Sequence, residues 1–356
     1  MPAATITYRR PVNTIATNAL RAVAVLACAA ALTACGGGSS SPPAGPPAPT
    51  PTPTATPIPS GTITEFSVPA ALAVTNLDVA TLGPDGNVWF SDFANPRVVK
   101  VTPAGVVTAY PLAGAHAPYG IAVGADGNLW VCDDGAGSYF IVNPTTGVAS
   151  SFALGGMSSL KLNTKGPDNA MWFTAFASSG GQSYVVSFSG GTFNQYVIPD
   201  VGYGIAVGPD SRLWFTTPGT ATIRAITTSG ALSAYPITTN PSAEPFGIVA
   251  GSDGAMWFAD ANPASAGIGR ITTSGTITEY ATPTHGTEIV SLTLGPDHNI
   301  WFAEIEAARI GKITPTGTIT EYPLATGSAP IAIAAGADGG IWFAEDGTNK
   351  IGRIQP

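Results

Sequence analysis

The chain has 356 residues, a net charge of −8 and an isoelectric point near 4.7. All 22 acidic residues follow Cys35, whereas three of the 14 basic residues precede it, which leaves 11 basic residues and a net charge near −11 after Cys35. Because nucleic-acid binding needs a basic surface, this balance argues against a nucleic acid as partner.

The first 35 residues have the pattern of a secretion signal. Three arginines precede an apolar run at 22–34, which is shorter than the roughly 20 residues of a membrane-spanning helix. The run ends in LTACG (32–36), which resembles the lipobox of bacterial lipoproteins. This resemblance implies cleavage before Cys35, lipid on its sulfur and sorting to the outer membrane of the cell envelope. An ordinary signal peptide that is cut nearby is the alternative.

A tether is predicted at 36–60. The segment consists almost entirely of Gly, Ser, Pro, Thr and Ala and carries no charge, so it cannot bury enough apolar surface to fold. No later segment is long and apolar enough for a membrane span, so lipid on Cys35 is the only membrane attachment we predict. Cys132 is the one cysteine of the following domain, and we expect it to be a buried, inert thiol.

A repeat of eight residues, each copy with a tryptophan at its seventh position, dominates the rest of the chain. The intervals between successive tryptophans are 41, 42, 42, 43, 44 and 41 residues. A period of roughly 40–45 residues with one strand–turn–strand signature per unit is typical of a β-propeller blade. The seven copies are GPDGNVWF (83–90), GADGNLWV (124–131), GPDNAMWF (166–173), GPDSRLWF (208–215), GSDGAMWF (251–258), GPDHNIWF (295–302) and GADGGIWF (336–343).

Each repeat contains four short β-branched or aromatic runs separated by turn residues, which predicts four antiparallel strands per blade. A pattern of the outer strand also occurs seven times, but its first copy (61–66) precedes the first blade, and the last blade stops after its third strand (350–354). The strand at 61–66 is therefore predicted to complete the last blade and close the ring. The prediction is an all-β domain at 61–356, a seven-bladed β-propeller, whose third blade is the least regular.

The repeated aspartate of each copy falls in the turn between the first and second strands. There it can accept local backbone N–H groups, which is a structural role; a seven-fold metal array is the rival hypothesis. The tryptophan and the next residue, usually Phe, face opposite sides of their strand, so each blade should present apolar side chains to both neighbours.

One face of the ring carries the longer loops, and ligands usually meet a propeller there. The acidic residues on these loops predict an electronegative channel mouth that binds a metal or a basic ligand; a merely solvated acidic rim is the alternative. They are Asp92, Asp133, Asp134, Glu244, Asp260, Glu288, Glu304, Glu306, Glu345 and Asp346.

The repeats have the form G-x-D-G-x-[ILM]-W-F-[AT]-E, followed by N-[KR]-I-G-[KR]-I-T and G-x-I-T-E-Y, and they resemble the streptogramin B lyases (virginiamycin B lyase). The resemblance covers essentially all of 61–356 and implies a seven-bladed, magnesium-dependent propeller. Such a lyase opens a cyclic depsipeptide at its ester by elimination. A base removes the proton α to the amide carbonyl while Mg²⁺ and acidic groups stabilise the resulting charge.

The catalytic histidines of that family lie in P-H-[AG]-I, at the start of the first strand of the last two blades. Read back from the Gly of each repeat, this position holds no histidine in the six blades that can be aligned, and the irregular third blade contains no histidine. The occupants are Asp78, Tyr119, Tyr203, Phe246, Val290 and Ile331.

Candidate site residues follow from the loops and from the resemblance. His116 and His285 are candidates for a displaced catalytic base, and Glu244 matches the glutamate of the family's A-E-P-H motif. Tyr119, Tyr203, Phe246 and Glu288 are the candidate ligand-binding residues. Glu304, Glu345 and Asp346 are the candidate ligands of Mg²⁺.

Three functions remain open. The first is an envelope-anchored lipoprotein, a monomer, that binds a small molecule or a protein at its acidic mouth. The second is a divergent magnesium-dependent lyase of the streptogramin B type, so that the sequence does not decide whether the protein is an enzyme. The third is a structural scaffold that binds other proteins.

Overall fold

A computed structural model describes residues 59–178, 181–265 and 267–356. The predicted secretion signal, its Cys35 and the tether up to residue 58 lie outside these ranges. Within them, no helix has the length and apolarity to cross a membrane. The described residues form 28 β-strands and two single-turn 3₁₀ helices, at Ala70–Leu72 and Pro218–Thr220.

The strands form seven separate sheets, each of four antiparallel strands, and each sheet is one blade. In blades 1 to 4 the four strands follow one another along the chain. Blade 1 comprises β2 (Leu77–Leu82), β3 (Val88–Asp92), β4 (Arg97–Val101) and β5 (Val107–Pro111). Blade 2 comprises β6 (Pro118–Val123), β7 (Leu129–Asp133), β8 (Ser138–Val142) and β9 (Ala149–Ala153). Blade 3 comprises β10 (Met157–Lys165), β11 (Met171–Ala177), β12 (Ser183–Ser189) and β13 (Thr192–Ile198). Blade 4 comprises β14 (Ile205–Val207), β15 (Leu213–Thr217), β16 (Thr222–Ile226) and β17 (Leu232–Pro236).

Blades 5 and 6 continue this order, and blade 7 takes its outer strand from the beginning of the domain. Blade 5 comprises β18 (Pro245–Ala250), β19 (Ala255–Asp260), β20 (Gly267–Thr272) and β21 (Ile277–Ala281). Blade 6 comprises β22 (Leu292–Leu294), β23 (Ile300–Glu304), β24 (Arg309–Ile313) and β25 (Ile319–Pro323). Blade 7 comprises β26 (Pro330–Ala335), β27 (Ile341–Glu345), β28 (Lys350–Ile354) and β1 (Ile63–Ser67).

The predicted ring closure is confirmed. Strand β1 pairs antiparallel with β28, with Ile63 opposite Ile354 and Phe66 opposite Ile351. The first strands of successive blades lie against one another, and the first strand of blade 7 lies against that of blade 1. The seven first strands therefore form a closed inner ring around the axis, and their starting ends all lie at one face.

The core is divided into seven clusters, one between each pair of neighbouring blades. Each cluster combines the tryptophan of one blade with the residue that follows the tryptophan in the next blade: Trp342 packs with Phe90, for example, and Trp301 with Phe343. In the other clusters the partner is likewise Phe, except in blade 2, where Val131 takes its place. The predicted presentation of apolar side chains to both neighbours is thus confirmed.

The repeated aspartate holds the tryptophan of its own blade. In all seven blades the indole N–H donates to the aspartate Oδ1, at 2.9–3.1 Å. Because most of these tryptophans are fully buried, an unsatisfied indole N–H would cost free energy. The structural interpretation of the seven aspartates is therefore confirmed. Cys132 is also buried, and burial raises the pKa of its thiol, as expected for an inert cysteine.

Candidate functional site

The mouth is the face of the ring at which the seven first strands begin. We call the residue five positions before the Gly of each repeat the axial residue of its blade. The seven axial residues are Asp78, Tyr119, Lys161, Tyr203, Phe246, Val290 and Ile331.

Most axial residues lie in a local irregularity of the first strand. The pairing of the first and second strands shifts at Leu77/Val79, Pro118/Ile121, Leu160/Asn163, Pro245/Ile248 and Pro330/Ile333. In blades 4 and 6 the axial residue comes just before the strand. A bulge bends its strand and re-aims a side chain, and bulges are common beside functional sites. In every blade, the axial residue therefore lies outside the regular pairing of the first and second strands.

Lys161 is the axial residue that the sequence analysis missed. Blade 3 has the longest first strand and a second irregularity at Met157/Ser159, which obscures the alignment of its repeat. The structure nevertheless places Lys161 next to the axial residue of blade 2. Gly120 follows that residue, and a Cβ added to Gly120 would lie only 2.5 Å from the Lys161 carbonyl oxygen. The distance of five residues back from Gly166 is the signal that could have identified it.

Two aromatic side chains and the lysine are in contact with one another on blades 3 to 5. The Tyr203 and Phe246 ring centres are 4.6 Å apart, and the Lys161 Nζ is 5.2 Å from the Tyr203 ring centre. Lys161 also forms an ion pair with Asp134, at 2.7 Å. The Tyr119 ring meets Phe93 edge-on, with centres 5.7 Å apart.

Hydrogen bonds between blades fix the backbone of these axial residues. Hydroxyl groups from the second strand of one blade donate to the axial carbonyl of the next: Thr174 to Tyr203 at 2.7 Å, and Thr216 to Phe246 at 2.6 Å. Ser91 donates in the same way to Tyr119 at 2.6 Å. A backbone that is held in this way is preorganised, because it needs no further ordering when a ligand binds.

Half of the acidic residues predicted for the mouth are buried at the ends of second strands. In blades 2 and 5 their carboxylates hold the neighbouring loops: Asp133 accepts the backbone N–H groups of His116 and Ala117, and Asp260 accepts that of Glu244. These carboxylates position backbone rather than face the solvent. The buried acids are Asp92, Asp133, Asp260, Glu304 and Glu345.

Glu304 and Glu345 occupy the same position in blades 6 and 7 but have fewer partners. Neither carboxylate oxygen of Glu304 has a hydrogen-bond partner among the described residues. Burial, followed by the charge of Glu321, raises the pKa of Glu304 to about 8. Glu304 is therefore largely protonated at neutral pH. Burial also raises the pKa of Glu345, whose Oε2 accepts a hydrogen bond from Thr348 at 3.0 Å.

The remaining predicted acids take part in loop contacts. Asp346 Oδ1 accepts the backbone N–H of Leu77, at 3.1 Å, and so connects blade 7 to blade 1. The backbone N–H of Glu288 donates to Glu306 Oε2 at 2.7 Å. Glu244 is half-buried beside the axial Phe246.

The two candidate histidines lie on exposed loops. His285 is exposed on the connection from blade 5 to blade 6. The His116 side chain is 67% exposed, and its Nδ1 lies 3.7 Å from Asp133 Oδ2. Neither histidine occupies an axial position.

The residues predicted to bind Mg²⁺ do not form a common binding site. Glu304 and Glu345 end the second strands of different blades, and Asp346 is engaged with Leu77. In the part of the chain that the structure describes, no three His, Cys, Asp or Glu side chains are placed to hold a metal ion together. These residues do not fit a metal centre in this arrangement.

Comparison with known proteins identifies the family. The virginiamycin B lyase family model matches residues 113–356. A streptogramin B lyase structure is 30% identical, with a TM-score of 0.74, and the match covers 83% of this chain and 97% of that one. The chain belongs to the virginiamycin B lyase family.

Another solved family member is also similar. It is a catalytically inactive variant of virginiamycin B lyase from Staphylococcus aureus, with one histidine changed to alanine, in a crystal structure with quinupristin. The variant is 28% identical to this chain, with a TM-score of 0.74 and coverage of 83% of this chain and 99% of that one. The hydrazine synthase of Kuenenia stuttgartiensis, at 15% identity and a TM-score of 0.67 with coverage of 80% and 96%, shares the fold alone. A search of curated proteins gave no match.

Proposed function

We propose that this member of the virginiamycin B lyase family is an exported lipoprotein that binds a ligand at its mouth. We propose further that it does not open a ring in the bound ligand. Lipid on Cys35 would anchor the chain in the cell envelope. The proposal rests chiefly on the composition of the axial ring. Blade 1 contributes Asp78, blades 2 to 5 contribute three aromatic side chains and a lysine, and blades 6 and 7 contribute Val290 and Ile331.

The aliphatic pair argues against proton abstraction by the axial residues of the last two blades. A general base must lie within hydrogen-bond reach of the proton that it removes, and neither Val290 nor Ile331 can accept a proton. These two positions correspond to the catalytic histidines of the resembling lyases. The same pair can still contribute apolar contact area to a bound molecule.

The aromatic side of the ring favours a ligand with planar or ring-shaped groups. Tyr and Phe provide large, rigid contact surfaces at a small cost in side-chain entropy. The ammonium group of Lys161 adds one positive charge beside them, partly offset by Asp134. A cyclic depsipeptide with aromatic substituents has this chemistry, so quinupristin is a suitable probe.

Calorimetric titration with quinupristin tests this proposal. We expect saturable binding. We expect Tyr203→Ala to weaken it at least tenfold, because the variant removes the ring that packs with Phe246 and would contact the ligand. Phe152→Ala is the matched control, since Phe152 is 44% exposed on the outer strand of blade 2. Equal affinities of Tyr203→Ala and the unsubstituted protein would contradict binding at the mouth.

A divergent lyase is the second candidate, and the pairing of His116 with Asp133 favours it. A carboxylate beside a histidine can help to orient the imidazole of a general base. On this alternative, ring opening of quinupristin would be lost in His116→Ala or in His285→Ala. Retention of turnover in both variants would exclude them as the base.

A further inference from the structure

The outer strands of the blades differ in how their free edges are protected. Each outer strand pairs with the third strand of its own blade, and its other side is a free edge among the described residues. Natural sheets protect such edges with charged side chains or proline, because the unpaired N–H and C=O groups would otherwise pair with another chain. Five outer strands have this protection, from Pro111 in β5, Pro236 in β17, Glu279 in β21, Glu321 in β25 and Glu65 in β1.

Blades 2 and 3 lack this protection. Their third and outer strands, β8, β9, β12 and β13, contain no charged residue and no proline. The third strand of every other blade contains at least one lysine or arginine. Because blades 2 and 3 are neighbours, these four strands form one continuous region on the rim of the ring, which we call the uncharged sector.

The uncharged sector also lacks a cation that covers the tryptophan in other blades. In blades 1, 5, 6 and 7 the third-strand residue opposite the tryptophan is lysine or arginine, which lies over the indole ring. In blades 2 and 3 the residue at this position is Ile141 or Ser187. An aromatic stack takes the place of the cation in blade 2. Tyr139 lies between Trp130 and Phe152, with ring centres 4.9 and 5.2 Å away.

This aromatic stack reaches the surface between the outer strands of blades 2 and 3. Phe152, at the outer end of the stack, is 44% exposed. On the facing side of blade 3, the ring centre of Phe193 lies 6.1 Å from that of Tyr139. Val197 is on the same side of β13 as Phe193 and is 62% exposed. The uncharged sector therefore presents apolar side chains to the solvent.

Strand β13 has seven residues, whereas each of the other outer strands has five. It follows β12 through Gly190 and Gly191, whose φ angles of 58° and 81° are those of a type I′ turn. Ser189 and Thr192 flank this turn and lie opposite each other. In such a turn the C=O of the first residue accepts the N–H of the fourth, so Ser189 and Thr192 form a hydrogen-bonded pair.

The turn determines which backbone groups of β13 are free. Hydrogen-bonded and non-hydrogen-bonded pairs alternate along an antiparallel ladder. Counted from Thr192, the residues Phe193, Gln195 and Val197 belong to non-hydrogen-bonded pairs with β12. Their N–H and C=O groups therefore point away from β12, towards the free edge.

The free edge of β13 is complementary to itself. When two copies of β13 run antiparallel with Gln195 opposite Gln195, Phe193 of each copy lies opposite Val197 of the other copy. All three residues then direct their backbone groups to the partner strand, and apolar side chains meet apolar side chains. This pairing has a two-fold axis, which is the commonest symmetry of homodimers.

The distribution of charge favours this contact over other contacts between two copies. The part of the chain after Cys35 has a net charge near −11, so two copies repel one another. Contact through the uncharged sector brings no like charges together on its four strands. Burial of Phe152 and Val197 would add a favourable apolar contribution.

We propose that two copies of this chain associate through the free edge of β13, which joins two blades into one continuous sheet. A monomer was expected from the sequence, and the free edge of β13 argues against it. A single pair of short strands with few apolar side chains makes a small interface. The dimer should therefore be weak, with a dissociation constant in the micromolar range.

Sedimentation velocity of the full chain from low to high micromolar concentration tests the proposal. We expect the monomer to convert into a dimer as the concentration rises. We expect Gln195→Lys to weaken the association at least tenfold, because two like charges would lie directly opposite each other. Ala234→Lys is the matched control, since Ala234 is exposed at the equivalent position of β17 in blade 4. It should leave the association unchanged.

A mixing experiment distinguishes loss of the contact from loss of the fold. Gln195→Glu alone should also remain monomeric. An equimolar mixture of Gln195→Lys and Gln195→Glu should form a heterodimer, because opposite charges then lie opposite each other. Thermal unfolding checks that each variant is folded.

Three results would overturn the proposal. The first is a monomer at every concentration. The second is a dimer that Gln195→Lys leaves unchanged, as expected if the copies associate through another surface or through the segment before residue 59. The third is a mixture of the two variants that associates no more than either variant alone.

Discussion

The ammonium group of Lys161 lies 5.2 Å from the centre of the Tyr203 ring, and its ion pair with Asp134 joins blade 3 to blade 2. Because Tyr203 also contacts Phe246, one lysine connects side chains from four consecutive blades. Lys161, Tyr203 and Phe246 thus form one group of contacting side chains, which the ion pair joins to blade 2.

Loss of the lysine should therefore lower the free energy of unfolding, and it should also remove a positive charge from the mouth. We expect Lys161→Met to lower the free energy of unfolding by about 1–2 kcal/mol, because Asp134 is left half-buried without its cation. Urea denaturation measures the change. The double variant Asp134→Asn/Lys161→Met should lose less than the sum of the two single variants. Strict additivity would show that the two side chains do not interact.

The turn aspartate should contribute stability through the tryptophan. We expect Asp297→Ala to cost about 1–3 kcal/mol, because the fully buried Trp301 loses the acceptor of its indole N–H. Thermal unfolding measures this loss. His298→Asn is the control, since His298 is exposed in the same turn with a φ of 63°, which asparagine tolerates. An equal effect of the two variants would refute a specific role for the hydrogen bond.

Glu304 should make stability depend on pH. Its ordinary pKa is 4.5, and burial, followed by the charge of Glu321, raises the pKa to about 8. Between these values the folded protein holds a proton that the unfolded chain has released. The contribution of this proton to the free energy of unfolding is fully present below pH 4.5. It is lost as the pH rises towards 8.

Glu304→Gln keeps a neutral side chain at every pH and removes this dependence. From pH 4 to pH 8 we expect the unsubstituted protein to lose about 2–4 kcal/mol more unfolding free energy than the variant. Urea denaturation at the two pH values provides the comparison. Glu306→Gln, which changes an exposed glutamate two residues away, should behave like the unsubstituted protein. A parallel pH response of all three proteins would contradict the raised pKa of Glu304.

The glycine in the third strand of blade 6 should be required for packing. A Cβ at Gly311 would lie 2.1 Å from the ring of Phe302, which is fully buried. We expect Gly311→Ala to cost about 2–3 kcal/mol in denaturant unfolding. Gly155→Ala is the control, because a Cβ there would have no atom within 4 Å and the φ of Gly155 is not in the left-handed region. A loss in Gly155→Ala as large as in Gly311→Ala would contradict this explanation.

The sequence was sufficient to predict the ring because its determinants are local and repeated. The period of the tryptophans, the alternation of Trp and Phe and the displaced outer strand at 61–66 predicted seven blades, apolar contacts on both sides of each blade and the completion of the last blade by the first strand. Each of these depends on spacing along the chain, which an irregular loop does not disturb.

The site could be predicted only in part. Asp133 and Asp134 are neighbours in sequence, yet one is buried against backbone N–H groups and the other pairs with Lys161. Burial of a carboxylate depends on which loop covers it, and composition does not carry that information. Lys161 was missed because two bulges disturb its strand.

Incubation of the protein with quinupristin and Mg²⁺ tests the central claim most directly. Elimination at the ester would give a ring-opened isomer of the same mass, so chromatographic separation rather than mass is the appropriate measurement. We predict that quinupristin binds and is recovered with its ring intact. Accumulation of the ring-opened isomer would contradict the account and establish the protein as a lyase.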